Sequence, residues 1–89
     1  MQLDSIVTLE DNEKYYLADE TVQNGIKYFL ANKLDETEEI TTEAYIFEEI
    51  KDGEDFYLDE VTDVEKMKYL TAVFTSNLIN DMEEMKEEA

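Results

Sequence analysis

The residues able to do chemistry in this chain are nearly all acids. Against 25 Asp and Glu stand 7 Lys, a formal net charge of −18 over 89 residues, and Arg, His, Cys, Pro and Trp are absent. Adjacent acids recur at Asp35-Glu36, Glu38-Glu39, Glu48-Glu49 and Asp59-Glu60. Carboxylates of this kind support three sorts of chemistry. Two carboxyls across a cleft cleave glycosidic bonds when they stand about 5 Å or roughly 6.5–9.5 Å apart. Oxygen-rich loops hold hard cations. A dense negative array resembles duplex DNA, which carries a charge about every 1.7 Å of its axis.

The first two are disfavoured. A sheet-and-helix chain of this length has little room for a cleft, and no imidazole or thiol is present as base or nucleophile. With so many acids, neighbouring carboxyls arise by chance. We expect no catalytic residue, and so no enzyme. The run Asp35 to Glu39 is rich in oxygen ligands, but its spacing misses the calcium-loop pattern and no Gly sits at the required turn. Weak, nonspecific attraction of Ca²⁺ or Mg²⁺ is the expectation there, with no metal site and no cofactor. Seven scattered Lys exclude direct binding of nucleic acid, and an anionic membrane would repel the chain.

Charge is the remaining feature. A net charge of about 2–8 in magnitude suffices to keep a small domain soluble, and −18 exceeds it well. Crowded acids repel one another in the folded state, a cost that a Lys- and Arg-rich partner would relieve. One cluster is Asp35, Glu36, Glu38 and Glu39. A second is Glu48, Glu49, Asp52, Glu54, Asp55, Asp59 and Glu60, interleaved with aromatics that could imitate stacked bases.

The elements that position these acids follow from periodicity. The hydrophobic fraction is 43%, with 6 Tyr and 4 Phe, too apolar for a disordered acidic tail. Strands are predicted over 5–10, 14–19, 26–34, 43–50 and 55–61, with turns at Asp11-Asn12-Glu13, Asn24-Gly25 and Asp52-Gly53. Residues 35–42 read as an acidic loop. The period then changes from two to about 3.6. Thr62-Asp63-Val64-Glu65 fits a capping box with Thr62 as the cap. Val64, Met67, Leu70, Phe74, Leu78, Met82 and Met85 fall on one face of a helix running from Asp63 to at least Leu78, its first four turns assigned to the core. Acids at its C-terminal end oppose the macrodipole, so that end should fray. Met82 and Met85 are candidates for docking on a second copy or a partner.

Asn12 to Leu17, Gly25 to Leu30 and Gly53 to Leu58 share a pattern: a turn residue, two spacers, two aromatics and Leu. It puts aromatics on both sheet faces, so Tyr16, Phe29 or Tyr57 would be exposed unless something covers them.

The layout resembles the small acidic bacterial and phage-encoded proteins catalogued as domain of unknown function 1292. The matching pieces are Ile6-x-x-Leu9-Glu10-Asp11, Asn24-Gly25-x-Lys27-Tyr28, Tyr45-x-Phe47-Glu48-Glu49, and Asp52-Gly53-Glu54 followed by Tyr57-Leu58-Asp59-Glu60-Val61-x-Asp63. The resemblance spans roughly residues 5 to 74. It implies a small antiparallel sheet with a helix, and no activity.

The expected fold is α+β: an antiparallel β-meander of four or five strands with a C-terminal α-helix packed on one face. Residues 1–78 form one domain and 79–89 an acidic helical extension or frayed tail. The start, Met-Gln-Leu-Asp-Ser, lacks a basic or long apolar leader, and no run reaches membrane-span length, so a cytoplasmic protein is expected, in a bacterial host cell if phage-encoded. The expected function is a non-enzymatic nucleic-acid mimic. It would inhibit a Lys/Arg-rich DNA- or RNA-binding protein, such as a CRISPR-type nuclease, through the eleven acids of the two clusters. Alternatives are an acidic housekeeping or adaptor domain without mimicry, or a homo-oligomeric module, for example a homodimer through the C-terminal helix.

Overall fold

The computed structural model describes the backbone of residues 2–88 and the side chains of residues 2–77. Two tight turns set its frame. Asn24 and Gly25 both have positive φ (54° and 79°), the mirror-image turn that matches the twist of its flanking strands. Gly53, at φ 64°, opens the other turn and Glu54 completes it, with Asp52 facing Asp55 across the strands. This loop sits one residue later than the Asp52-Gly53 pair read from the sequence.

The elements are β1 (Ile6–Thr8), β2 (Lys14–Gln23), β3 (Ile26–Leu34), β4 (Ile40–Asp52), β5 (Asp55–Glu60) and α1 (Val64–Glu88). All five strands pair antiparallel with their sequence neighbours in the order β1-β2-β3-β4-β5. The fold is therefore the expected α+β meander, with five strands. Only β3 has the bounds read from the sequence: β1 is shorter at both ends, β5 ends one residue earlier, and β2 and β4 are longer. Residues 20–23 extend β2 rather than forming a loop, and β4 starts at Ile40, inside the stretch read as a loop, with its side chain exposed.

Both sheet faces carry a core. On one, Leu70 and Phe74 of α1 pack with Tyr28, Ile46 and Val61, flanked by Ile26 and Leu30. On the other, Tyr15, Leu17, Phe29, Ala31 and Phe47 cluster. Tyr15 meets Phe47 edge-on with ring centroids 5.0 Å apart. The register shifts between Leu17 and Asp19 and again between Asn32 and Leu34. Such irregularities bend a strand and increase its twist, and the sheet is curled. Leu3, Val7 and Leu9 near one edge and Leu58 on the other reach the same cluster. Phe29 is thus fully buried without a covering element, whereas Tyr57 is 48% exposed.

The helix face predicted from periodicity is only partly used. Leu70 and Phe74 are buried, but Val64 and Met67 are 63% and 40% exposed, so the first turn of α1 does not join the core. The Tyr69 hydroxyl instead fastens this part of the helix to the sheet, donating to Gln23 Oε1 at 2.5 Å. The side chains of Leu78, Met82 and Met85, and so the expected docking of the two methionines, lie outside the described residues.

Asp63, not Thr62, caps the helix. Its Oδ1 accepts the Lys66 amide at 3.1 Å and its carbonyl accepts the Met67 amide at 2.9 Å, the first turn of the ladder. Thr62→Ala should therefore leave the melting temperature nearly unchanged. Asp63→Ala should cost about 1 kcal/mol, read as a lower urea midpoint at unchanged slope.

Candidate functional site

The eleven candidate acids do not form one lattice. Asp35, Glu36, Glu38 and Glu39 occupy the turn between β3 and β4; the other seven belong to the β4–β5 hairpin. The two groups sit at opposite ends of β4, whose 13 residues span roughly 40 Å at about 3.4 Å each.

Much of the turn cluster is engaged internally. Asp35 Oδ1 accepts the Thr37 hydroxyl at 2.7 Å, the Thr37 amide at 2.9 Å and the Glu39 amide at 3.0 Å. The Asp35 amide donates to the Glu39 carbonyl at 2.9 Å. Asp35 thus closes its own loop, as an Asp two residues before Thr can. The Thr37 hydroxyl, followed by the Glu39 and Thr37 amides, holds its carboxyl below the usual range. Glu38, left-handed at φ 64°, pairs with Lys14, which lowers its carboxyl likewise. Glu36 and Glu39 are the exposed remainder.

These shifts fix a pH dependence. A carboxyl depressed in the folded state stabilises above its unfolded pKa and ceases to do so as pH falls through its folded pKa. The loop should therefore hold down to about pH 4 and open below it. The Thr37 and Glu39 amide resonances should titrate together, with a midpoint below the ordinary Asp value of 3.8. Asp35→Asn should abolish that titration. A midpoint at or above the ordinary value would contradict the assignment.

The hairpin is arranged differently. Side chains alternate between faces, so Glu48, Asp52, Asp55 and Asp59 share the helix side with Ile46, while Glu49 and Glu60 share the other with Phe47. Register places Glu48 directly opposite Asp59 and Asp52 directly opposite Asp55. Like charges so placed destabilise a sheet. Lys66 lies 3.6 Å from Glu48 Oε1 and sits over the Tyr28 ring, with 5.7 Å to its centroid. Its ammonium is favoured first by the Tyr28 hydroxyl and then by Glu48. Glu49 contributes to the negative field at Lys27, whose ion partner is Glu20 at 2.9 Å. Two aromatics are exposed on this strand: Tyr57 lies between the facing acids on the helix side, and Phe56 lies on the other.

One feature escaped the sequence. A groove of about 470 Å³ separates β1 and the turn after it from β5, lined by Val7, Leu9, Phe56 and Leu58 with Glu10, Asp11 and Asp59 among the polar residues. The alternation Phe56-Tyr57-Leu58-Asp59 hinted at a two-sided edge strand, but only the curl of the sheet brings β1 opposite it. A second recess, of about 630 Å³, begins at the same turn with Asn12 and Glu13 and runs beside Lys14, Lys33 and the Asp35 turn, where Lys33 pairs with Glu13 at 3.3 Å.

Among the described residues, no polar or charged side chain is fully buried, no three carboxylates converge as a metal set, and no helix is long and apolar enough to cross a membrane. No family model, no curated protein and no solved structure matches this chain.

Proposed function

We propose that the protein is a non-enzymatic, cytoplasmic inhibitor that imitates nucleic acid, occupying the basic groove of a DNA- or RNA-binding protein of the CRISPR-nuclease kind. The observation that carries this reading is two pairs of facing acids, Glu48 with Asp59 and Asp52 with Asp55, with exposed Tyr57 between them on the same face. A hairpin under no other demand would place opposite charges, or none, at those positions. A cationic cleft closing on the hairpin turns the repulsion into attraction. Tyr57 offers it a flat face where a base would stack.

Association of this kind is fast and weakens with salt. The test is displacement of a labelled duplex from a guide-RNA-loaded nuclease, followed by fluorescence anisotropy at about 50 and 200 mM salt. Displacement that weakens sharply at the higher salt supports the proposal. Absence of displacement across a panel of such nucleases counts against it. The homodimer reading has its own support in Val64 and Met67, exposed on one face of α1. Sedimentation distinguishes it, since a dimer through that stripe is lost in Met67→Glu.

A further inference from the structure

The sheet is open, and its two edges face one another across the groove. Among the described residues β1 pairs only with β2, and β5 only with β4. Val7, Leu9 and Leu58 line the groove and also pack on the Phe29 cluster, so its floor is continuous with the core.

The register defines what the β5 edge offers. The Val61 amide donates to the Ile46 carbonyl at 2.9 Å. Bonded and non-bonded positions alternate in an antiparallel pair. Asp55, Tyr57 and Asp59 therefore bond to β4, while Phe56, Leu58 and Glu60 turn their N–H and C=O groups outward. Side chains alternate in step, Phe56 and Leu58 toward the groove side, Asp55 and Asp59 toward the helix side. An added strand would meet apolar and acidic neighbours at alternate positions.

We infer that the β5 edge docks an extended segment of a basic partner protein, in which Lys or Arg alternates with apolar residues, as a sixth strand entering the β1–β5 groove. Strand addition takes affinity from main-chain hydrogen bonds and specificity from alternate side chains. Here the partner's apolar residues lie beside Phe56 and Leu58, and its cations beside Asp55 and Asp59. The same charges exclude a second copy of this chain, because β5 against β5 sets acids against acids. The inference deepens the proposed function, on which it rests for the partner's positive charge, and adds the main chain as the binding element.

The probe is a synthetic peptide of about six residues alternating lysine and valine, titrated into the full chain by calorimetry and amide exchange. A control of the same composition carries N-methyl groups on the edge-facing amides, which keeps its charge and removes its donors. The expected result is binding of the first peptide with slowed exchange at Phe56, Leu58 and Glu60, and loss of that binding with the N-methyl control. The Asp55→Lys, Asp59→Lys double variant, which relieves both facing pairs and so keeps its fold, should bind about tenfold more weakly. Equal binding of both peptides overturns strand addition while leaving carboxylate-led capture standing. No binding of either peptide at low salt, protection confined to other strands, or self-association through β5 also overturns it. The duplex-displacement assay reports on the mimicry proposal independently of these outcomes.

Discussion

Phe74→Ala should remove about 3–5 kcal/mol of stability, the largest effect of any single truncation on the helix. Phe74 is 4% exposed and closes, with fully buried Leu70, over Tyr28, Ile46 and Val61. Within α1, no other side chain described is buried to this degree. A domain of this size has a total stability of roughly 4–13 kcal/mol, so the variant stands near the edge of unfolding at room temperature. Urea unfolding followed by far-UV circular dichroism measures the loss. Met67→Ala is the control. The sequence places Met67 on the same stripe, but the structure leaves it 40% exposed, and surface changes usually stay within about 0.5 kcal/mol. Equal losses at the two positions would mean that the helix lies along the sheet for its full apolar stripe and is not held by Leu70 and Phe74 alone.

That contrast shows what periodicity can and cannot specify. Steps of three and four residues tell which side chains share a helix face. They do not tell which stretch of the helix crosses the sheet, because that depends on the connection from β5 through Val61 to Asp63 and on where the sheet ends. The strands were legible where a turn fixed their register: Asn24-Gly25 set β3 at Ile26–Leu34 as read. Residues Glu20 to Gln23 were not, since polar residues on a half-exposed strand look like a loop. The shift after Leu17 pairs Glu20 with Phe29, a placement no local pattern announces. Phe29 itself was expected to need a cover. The curl supplies one, and curl is a property of the whole sheet.

The candidate acids divide in the same way. Composition identified the surplus and the two clusters. Hydrogen bonding then separates their roles. Asp35 holds three donors from its own loop and Glu38 holds Lys14. Those two are structural, although all four acids of the cluster are exposed, and Glu36 and Glu39 are what the cluster leaves for a partner. The hairpin acids face each other instead, and cross-strand pairing is invisible until the register is known.

The hairpin therefore yields the second large effect, in which stability and binding move in opposite directions. Asp52→Lys together with Asp59→Lys replaces both facing repulsions with attractions, to Asp55 and Glu48 respectively. Cross-strand charge pairs contribute roughly 0.2–1 kcal/mol each, and exposure screens them. The double variant should gain about 1 kcal/mol at low salt and less at high salt, seen as a raised urea midpoint. Displacement of duplex from the nuclease should meanwhile weaken by about a hundredfold or more, because losing one partner of a close interfacial charge pair costs roughly 2–5 kcal/mol. A firmer fold with unchanged displacement would mean that the partner grips elsewhere, and the mimicry proposal would lose its supporting observation. A weaker fold would mean that these acids hold the hairpin together through contacts the register does not show. Only a firmer fold with lost capture matches a surface whose charge is kept against the interest of stability, the trade expected where selection acts on binding.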